Sequence, residues 1–209
     1  MGHSLAREPL QKRFQHLFDV ISSERFLKMQ GIGKEVPFFI CHFRPEEALE
    51  MEKIRYQLIN QLEKAGVSVL DINLYDLSIS LLKEIGIFEK TIEVETSAAK
   101  DAFLEHLQGS LDPEKYLIPS IAKSIKEHNC DVIFVSGIGE VYPYIRAHTF
   151  LNNLQSTAKE QPTVMFYPGE YRYSPLTGTS LDLFGRLHDD KYYRAFDIFL
   201  YEPELRSRQ

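Results

Sequence analysis

Cysteine is scarce in this chain of 209 residues: there are two, Cys41 and Cys130. Each sits inside an apolar run, so both read as buried core thiols suited to a reducing cytoplasm. No CxxC pair and no Cys/His cluster with zinc-ligand spacing occurs, so the cysteines do not point to a structural metal. Basic residues are in deficit as well. Lys and Arg total 24 against 30 Asp and Glu, a formal net charge of -6, which disfavours nucleic-acid binding through a broad basic face. Uninterrupted apolar stretches fall well short of the about 18 residues that a membrane span needs, and the N-terminus carries no apolar signal core. Glycine/serine linkers, low-complexity tracts and internal repeats are lacking too. What these absences leave is a cytoplasmic protein with one core. Residues 10–202 are expected to form a single domain, with 1–9 a flexible N-terminal arm and 203–209 a tail.

What is present is an alternation of strand-like and helical patterns. Leu10, Phe14, Leu17, Phe18 and Ile21 recur at steps of three and four and predict an opening amphipathic helix. "VPFFICHF" (36–43) reads as the first strand, and Pro45, Glu46 and Glu47 suit the first turn of the helix that follows. Met51, Ile54, Leu58, Ile59 and Leu62 mark its core face, with Gly66 as the stop. "VSVLDINLY" (67–75) reads as a second strand and residues 76–129 as broken helix. In that stretch Thr96 or Ser97 is expected to cap one helix that ends at Gly109. Asp112 and Pro113 are expected to start the next, with Leu117, Ile118, Ile121 and Ile125 as its buried stripe. "CDVIFV" (130–135), "TVMFY" (163–167) and "FDIFLYE" (196–202) supply three more strands, with a helix over roughly 143–158. The fold class that follows is α/β. It is a three-layer α/β/α domain with a mostly parallel sheet of about five strands, like a nucleotide-binding fold without its phosphate loop.

Ligands in such sheets lie beyond the carboxyl ends of the strands, where this chain places "SGIGEVYPYIRAH" (136–148) and "YPGEYRYS" (167–174). "GIGKE" (31–35) precedes a strand and has Glu35 where a P-loop needs Ser or Thr. "SGIGEV" follows a strand, but Tyr142 stands where a dinucleotide fingerprint wants glycine, so a tight turn is the better reading. Asp71 imitates a metal-holding carboxylate but lacks a phosphate loop as its partner. A triad of Ser136, His148 and Glu140 is the weaker reading beside a turn serine, and "GTSLD" (178–182) is not a nucleophile elbow. His188, Asp189 and Asp190 could face a cation, although Lys191 and Arg194 beside them favour a salt-bridged loop. No catalytic, metal or cofactor site is therefore expected.

The remaining signal is tyrosine with arginine, a composition enriched at interface hot spots. A protein-interaction surface is expected from Glu140, Tyr142, Tyr144, Arg146, His148, Glu170, Tyr171, Arg172, Arg186, Tyr192 and Arg194. The stretch 170–195 is long for a connection and is expected to lie across or beside those loops. The competing reading makes "SLDLFGRL" a short helix, with Leu181, Leu183, Phe184 and Leu187 capping the sheet.

Four long segments also carry a likeness: "ERFLKMQGIGKEVPFFI" (24–40), "VLDINLYDLS" (69–78), "LNNLQSTAKEQPTVMFYPGEY" (151–171) and "TSLDLFGRLHDDKYYRAF" (179–196). Together, and in this order, they resemble the BrxB family of bacterial BREX phage-defence systems, over residues 10 to 202. The resemblance implies a small component of a multi-protein system whose neighbours include a methyltransferase, a large ATPase and PglZ, a protein of the alkaline-phosphatase type. It implies PglZ as the direct partner, with other BREX components also within reach, and supplies no catalytic residues. The expected role is a non-enzymatic adaptor or regulator. The opposing expectation is a divergent hydrolase or nucleotide-dependent enzyme with its site at the carboxyl ends of the strands.

Overall fold

A strand that is apolar at nearly every position has no solvent face and must be covered on both sides. The computed structural model describes residues 5–31, 37–174, 178–189 and 195–203. It meets that demand with three layers. The strands are β1 (Phe38–Phe43), β2 (Val69–Asn73), β3 (Val132–Ser136), β4 (Thr163–Ser174), β5 (Gly178–Leu183), β6 (Leu187–Asp189) and β7 (Phe196–Asp197). Five of them run parallel in the order β2-β3-β4-β1-β7, the number expected from the sequence. Side-chain alternation then splits the core in two. Phe39, Cys41, Phe43, Val132, Phe134, Val164 and Phe166 face α1 (Leu10–Ile21), α2 (Glu24–Leu27) and α3 (Ala48–Lys64). Phe38, Ile40, Ile133, Val135, Met165 and Tyr167 face the other way. That side is covered by α4 (Leu74–Glu84), α5 (Phe88–Ser97), α6 (Lys100–Ser110), α7 (Ile118–His128) and α8 (Ala147–Leu154). Both cysteines are buried and free, and burial pushes the Cys41 thiol far up.

Several boundaries differ from those expected. The second strand stops at Asn73, because its side-chain oxygen accepts from the backbone N–H of Tyr75 (2.9 Å) and Asp76 (3.3 Å) and starts α4 there. Ser97 is not a cap. It closes α5 with its hydroxyl donating to the Glu93 carbonyl at 2.8 Å, and α6 begins beyond Ala99. Asp112 does cap, accepting from Lys115 N–H at 3.0 Å, but the turn it opens is π-helical and α7 starts only at Ile118. The helix expected over 143–158 contracts to α8, and the last strand is two residues followed by a 3-10 turn, Ile198–Leu200. Upstream, Leu5–Arg7 forms a 3-10 turn with Ala6 buried, so the packed structure begins before residue 10.

The largest difference lies after residue 167. β4 continues to Ser174 and returns as β5 and β6, an antiparallel ribbon in place of a loop or a helix. Leu181, Leu183, Phe184 and Leu187 imitate a helical stripe. Phe184, however, has φ +56°, a conformation rare for an aromatic residue, and it turns the chain back between β5 and β6. Gly169 permits the pairing, since a Cβ there would stand 2.1 Å from the Asp182 carbonyl oxygen.

One buried ion pair ties the N-terminal segment to this frame. Arg13 in α1 is 1% exposed. It donates to the Ala6 carbonyl at 3.2 Å and meets the Glu47 carboxylate at 2.9 Å, just ahead of α3. Glu47 also accepts from Arg44 through its backbone N–H (3.2 Å) and its guanidinium (2.7 Å). Burial alone would push the Glu47 carboxyl up, but the bonds from Arg44 and Arg13 hold it below the usual range. Removing one partner of a buried pair strands the other charge, at about 3–5 kcal/mol. Glu47→Ala is accordingly expected to lose about 3 kcal/mol or more in chemical denaturation. Replacing both charges, as Arg13→Met with Glu47→Leu, should recover most of that loss; if the double variant is as weak as Glu47→Ala, the stranded-charge explanation is wrong.

Candidate functional site

The connection after β1 passes over one face of the sheet through α3, while those after β2 and β3 pass over the other through α4–α8. Where such connections diverge, a crevice opens at the carboxyl ends of the strands. Here it is a cavity of about 290 Å³, near the lower limit of known ligand pockets. Ser136 and Asn73, paired in register at the ends of β3 and β2, lie at its floor with Phe43 and Phe166. Alternation puts Ser136 on the α3 side with Val132 and Phe134. Leu49, Met51, Glu52 and Arg55 of α3 form one wall, residues 137–140 the other, and Pro168 and Phe184 the rim. Gly137 shapes the loop wall. Its φ is +79°, and a Cβ would stand 2.5 Å from Asn73 Oδ1. Glu140 and Val141 N–H close back on its carbonyl at 3.1 and 3.2 Å. The glycines of "SGIGEV" therefore make a tight turn against the end of β2.

The electrostatics are uneven. Arg55 is the cavity's one cationic wall residue among the described residues, and it is bonded to Asp71 while lying 4.4 Å over the Tyr56 ring. Asp71 is thereby an ion-pair partner of Arg55. Glu52 and Glu140 make no ion pair within the described residues. Partial desolvation of this otherwise exposed side chain, reinforced by the charges of Glu52 and Asp76 and partly offset by Arg55, pushes the Glu140 carboxyl above its ordinary range. Ser136 is 8% exposed, and its hydroxyl has no hydrogen-bond partner. The Ser136–His148 contact of a triad is thus not made. His148 is buried in α8 with Nε2 2.9 Å from Thr149 Oγ1. Among the described residues no group of three His, Cys, Asp or Glu side chains could hold a metal ion. The His188, Asp189 and Asp190 side chains lie outside what is described, as do residues 32–36 of "GIGKE".

The interaction residues expected from the sequence divide into three groups. Glu140, Arg146, Arg172 and Arg186 are exposed, and Glu170 is half-buried in a 2.8 Å pair with Arg172, which also reaches Asp182 at 3.1 Å. Tyr142, Tyr144 and Tyr171 are half-buried and pack on the core. Burial, then the neighbouring Tyr75, pushes the Tyr144 phenol up to about 12. Tyr171 stacks on His42 and donates its hydroxyl to the Ala195 carbonyl at 3.0 Å. His148 is buried. Tyr192 and Arg194 fall outside the described residues. The structure brings the loop and the ribbon together: a Cβ on Gly139 would touch both Phe184 and Pro168 at 3.0 Å. Sequence reasoning missed Leu49, Glu52 and Arg55. Leu49, 70% exposed, carried a signal, being an apolar residue off the core stripe of its helix.

Fold and cavity together define a doubly wound α/β protein with a small acidic and apolar cavity at the divergence point of its sheet. The chain belongs to the BrxB family: the family described as "BREX protein BrxB" matches residues 70–198. It is 31% identical to a BREX protein BrxB of Bacillus cereus (strain H3081.97) over 193 residues, which cover 90% of this chain and 97% of the relative. It is 30% identical to one of Escherichia coli O9:H4 (strain HS) over 192 residues, 90% of this chain and 91% of the relative. No solved structure matches the chain significantly. No helix among the described residues is long and apolar enough to cross a membrane.

The raised Glu140 carboxyl has a signed consequence. The folded state holds this proton more tightly than the unfolded chain, so the ionised group destabilises the fold above the folded pKa. That penalty vanishes below the unfolded value, where both states are protonated. Glu140→Gln is expected to raise the melting temperature at about pH 7 and to match the parent protein at about pH 3. An equal gain at both values would show that charge is not the cause.

Proposed function

We propose that the protein is a non-enzymatic adaptor or regulatory subunit of a BREX phage-defence complex, and that its direct partner there is PglZ. Membership of the BrxB family supports the setting. The observation that carries the adaptor role is the β4–β5–β6 ribbon. Its tip exposes Phe184, Arg186 and Leu187, an aromatic, a cation and an aliphatic side chain in one turn. It lies against the 137–140 loop, so Glu140, Arg146, Arg172 and Arg186 belong to the same end of the molecule. Exposed apolar groups bordered by charge suit a protein interface of ordinary polarity. Tyr142, Tyr144 and Tyr171 support that surface from beneath.

The cavity favours a second reading, a divergent hydrolase or nucleotide-dependent enzyme at the carboxyl ends of the strands. A melting-temperature rise of several degrees with a nucleotide or a divalent metal would support it, by mass action on the folded state.

The adaptor reading is checked by co-expressing the tagged chain with each BREX component. PglZ is expected to co-purify. Arg186→Glu/Leu187→Asp, with an unchanged melting temperature, should reduce capture at least about tenfold, equivalent to about 1.4 kcal/mol of binding. Wild-type capture by the folded variant would rule out the ribbon tip, and no capture by the parent protein would rule out PglZ.

A further inference from the structure

We infer that the cavity at the ends of β1–β4 receives a basic side chain, arginine or lysine, presented by an apolar-flanked segment of a protein partner. The inference rests on the adaptor reading and names what its surface recognises. Its warrant is the match between what the cavity lacks and what such a side chain brings. The Ser136 hydroxyl is buried at the floor with nothing to bond. Glu52 of α3 and Glu140 of the loop after β3, both exposed, line the cavity without ion partners among the described residues, while Arg55 is already held by Asp71. A guanidinium offers five donors and an ammonium three, and neither carries an acceptor, so either satisfies one hydroxyl and two carboxylates at once. The aliphatic stem of such a residue lies well along apolar surface, here Phe43, Met51 and Phe166.

Other occupants fit less well. A phosphate would meet two carboxylates and no free cation. It would also find the first turn of the helix beside it occupied by Glu46 and Glu47, where α/β folds otherwise bind anions. Calcium and magnesium require about six or more oxygen ligands, and apolar side chains take most of these walls. A free small cation would leave Leu49, 70% exposed, and Phe184, 37% exposed, uncovered at the rim. A peptide segment with apolar neighbours covers them, and arginine is among the residues that anchor interfaces in this way.

The test uses the ¹⁵N-labelled full chain and three capped pentapeptides. These are Leu-Ala-Arg-Ala-Leu and its counterparts with neutral citrulline or with glutamate at the centre. The arginine peptide should shift the amides of Ser136–Glu140 and Glu52. The citrulline peptide, and Glu52→Gln/Glu140→Gln with a melting temperature no lower than the parent protein's, should each weaken binding at least about tenfold, equivalent to about 1.4 kcal/mol. Equal binding of the arginine and citrulline peptides overturns the proposal, as does a response to spermidine without a response to the peptide. PglZ capture separates the two readings. Loss of capture by Glu52→Gln/Glu140→Gln supports the cavity as the contact. Full capture by that variant overturns the cavity proposal and leaves the adaptor reading standing. Peptide binding without PglZ capture by the parent protein supports the cavity and removes PglZ as the partner.

Discussion

The arrangement at the carboxyl end of the sheet depends on one buried contact, the guanidinium of Arg13 against the carboxylate of Glu47. Through it α1, the turn at Ala6, the end of β1 and the start of α3 converge on this pair of side chains. Charges taken out of water are expensive, and such a pair need not stabilise the fold relative to two apolar residues. What it supplies is position. Once Arg13 is buried, Glu47 must sit where it does, which sets the first turns of α3 and thus Leu49, Met51, Glu52 and Arg55 along the cavity wall. Arg13 Nε has no hydrogen-bond partner, so the contact carries a cost as well as a constraint.

The same carboxylate explains why a nucleotide-type sheet lacks the features of a nucleotide site. In folds of this class the helix after the first strand turns free N–H groups and the positive end of its dipole toward phosphate. Here Pro45 has no N–H to offer, and the Arg44 N–H is already donated to Glu47. Glu46 and Glu47 neutralise the dipole from within the chain. The glycine turn after β3 fails the phosphate for a different reason. Gly137 is needed because Asn73 crowds it, and Asn73 is there because its oxygen caps α4. Two local solutions to helix starting have used the groups that would otherwise bind an anion.

How much of this was legible follows from the range of each interaction along the chain. The stripe in α1, the stripe in α3 and the caps at Asp112 and Pro45 are local, and the sequence shows them. Five parallel strands could be counted from apolar runs of five to nine residues. The ribbon could not, because its signal is a phenylalanine at positive φ, a conformation that tertiary pairing imposes on Phe184 against its propensity. The buried cations were half visible. Arg13 falls three residues after Leu10 and four before Leu17, on the apolar stripe, and Arg55 lies likewise between Met51 and Leu58. An arginine at such a position demands a buried acceptor, but Glu47 and Asp71 are set by the fold and not by spacing. The tyrosines were the reverse case. Tyr171 and Tyr144 looked like a surface from composition, yet pack inward because a phenol can bury its ring and keep one hydrogen bond.

Two groups of the cavity are worse off in the free protein than simpler replacements would be. A buried hydroxyl without a partner costs about 1–3 kcal/mol, and Glu140 is held in surroundings that disfavour its charge. Structural demands explain neither. Gly137 and Asn73 complete the turn without the Ser136 hydroxyl, and the backbone bonds from Glu140 and Val141 need no carboxylate. Local costs of this kind gather at sites whose complement comes from elsewhere. Both groups are acceptors or can act as one, and both face the same space beside Glu52. A donor arriving there offsets the two costs in one step. This is why the chemistry of the missing partner can be read from the free chain: a cation on an apolar stem, seated under Leu49 and Phe184.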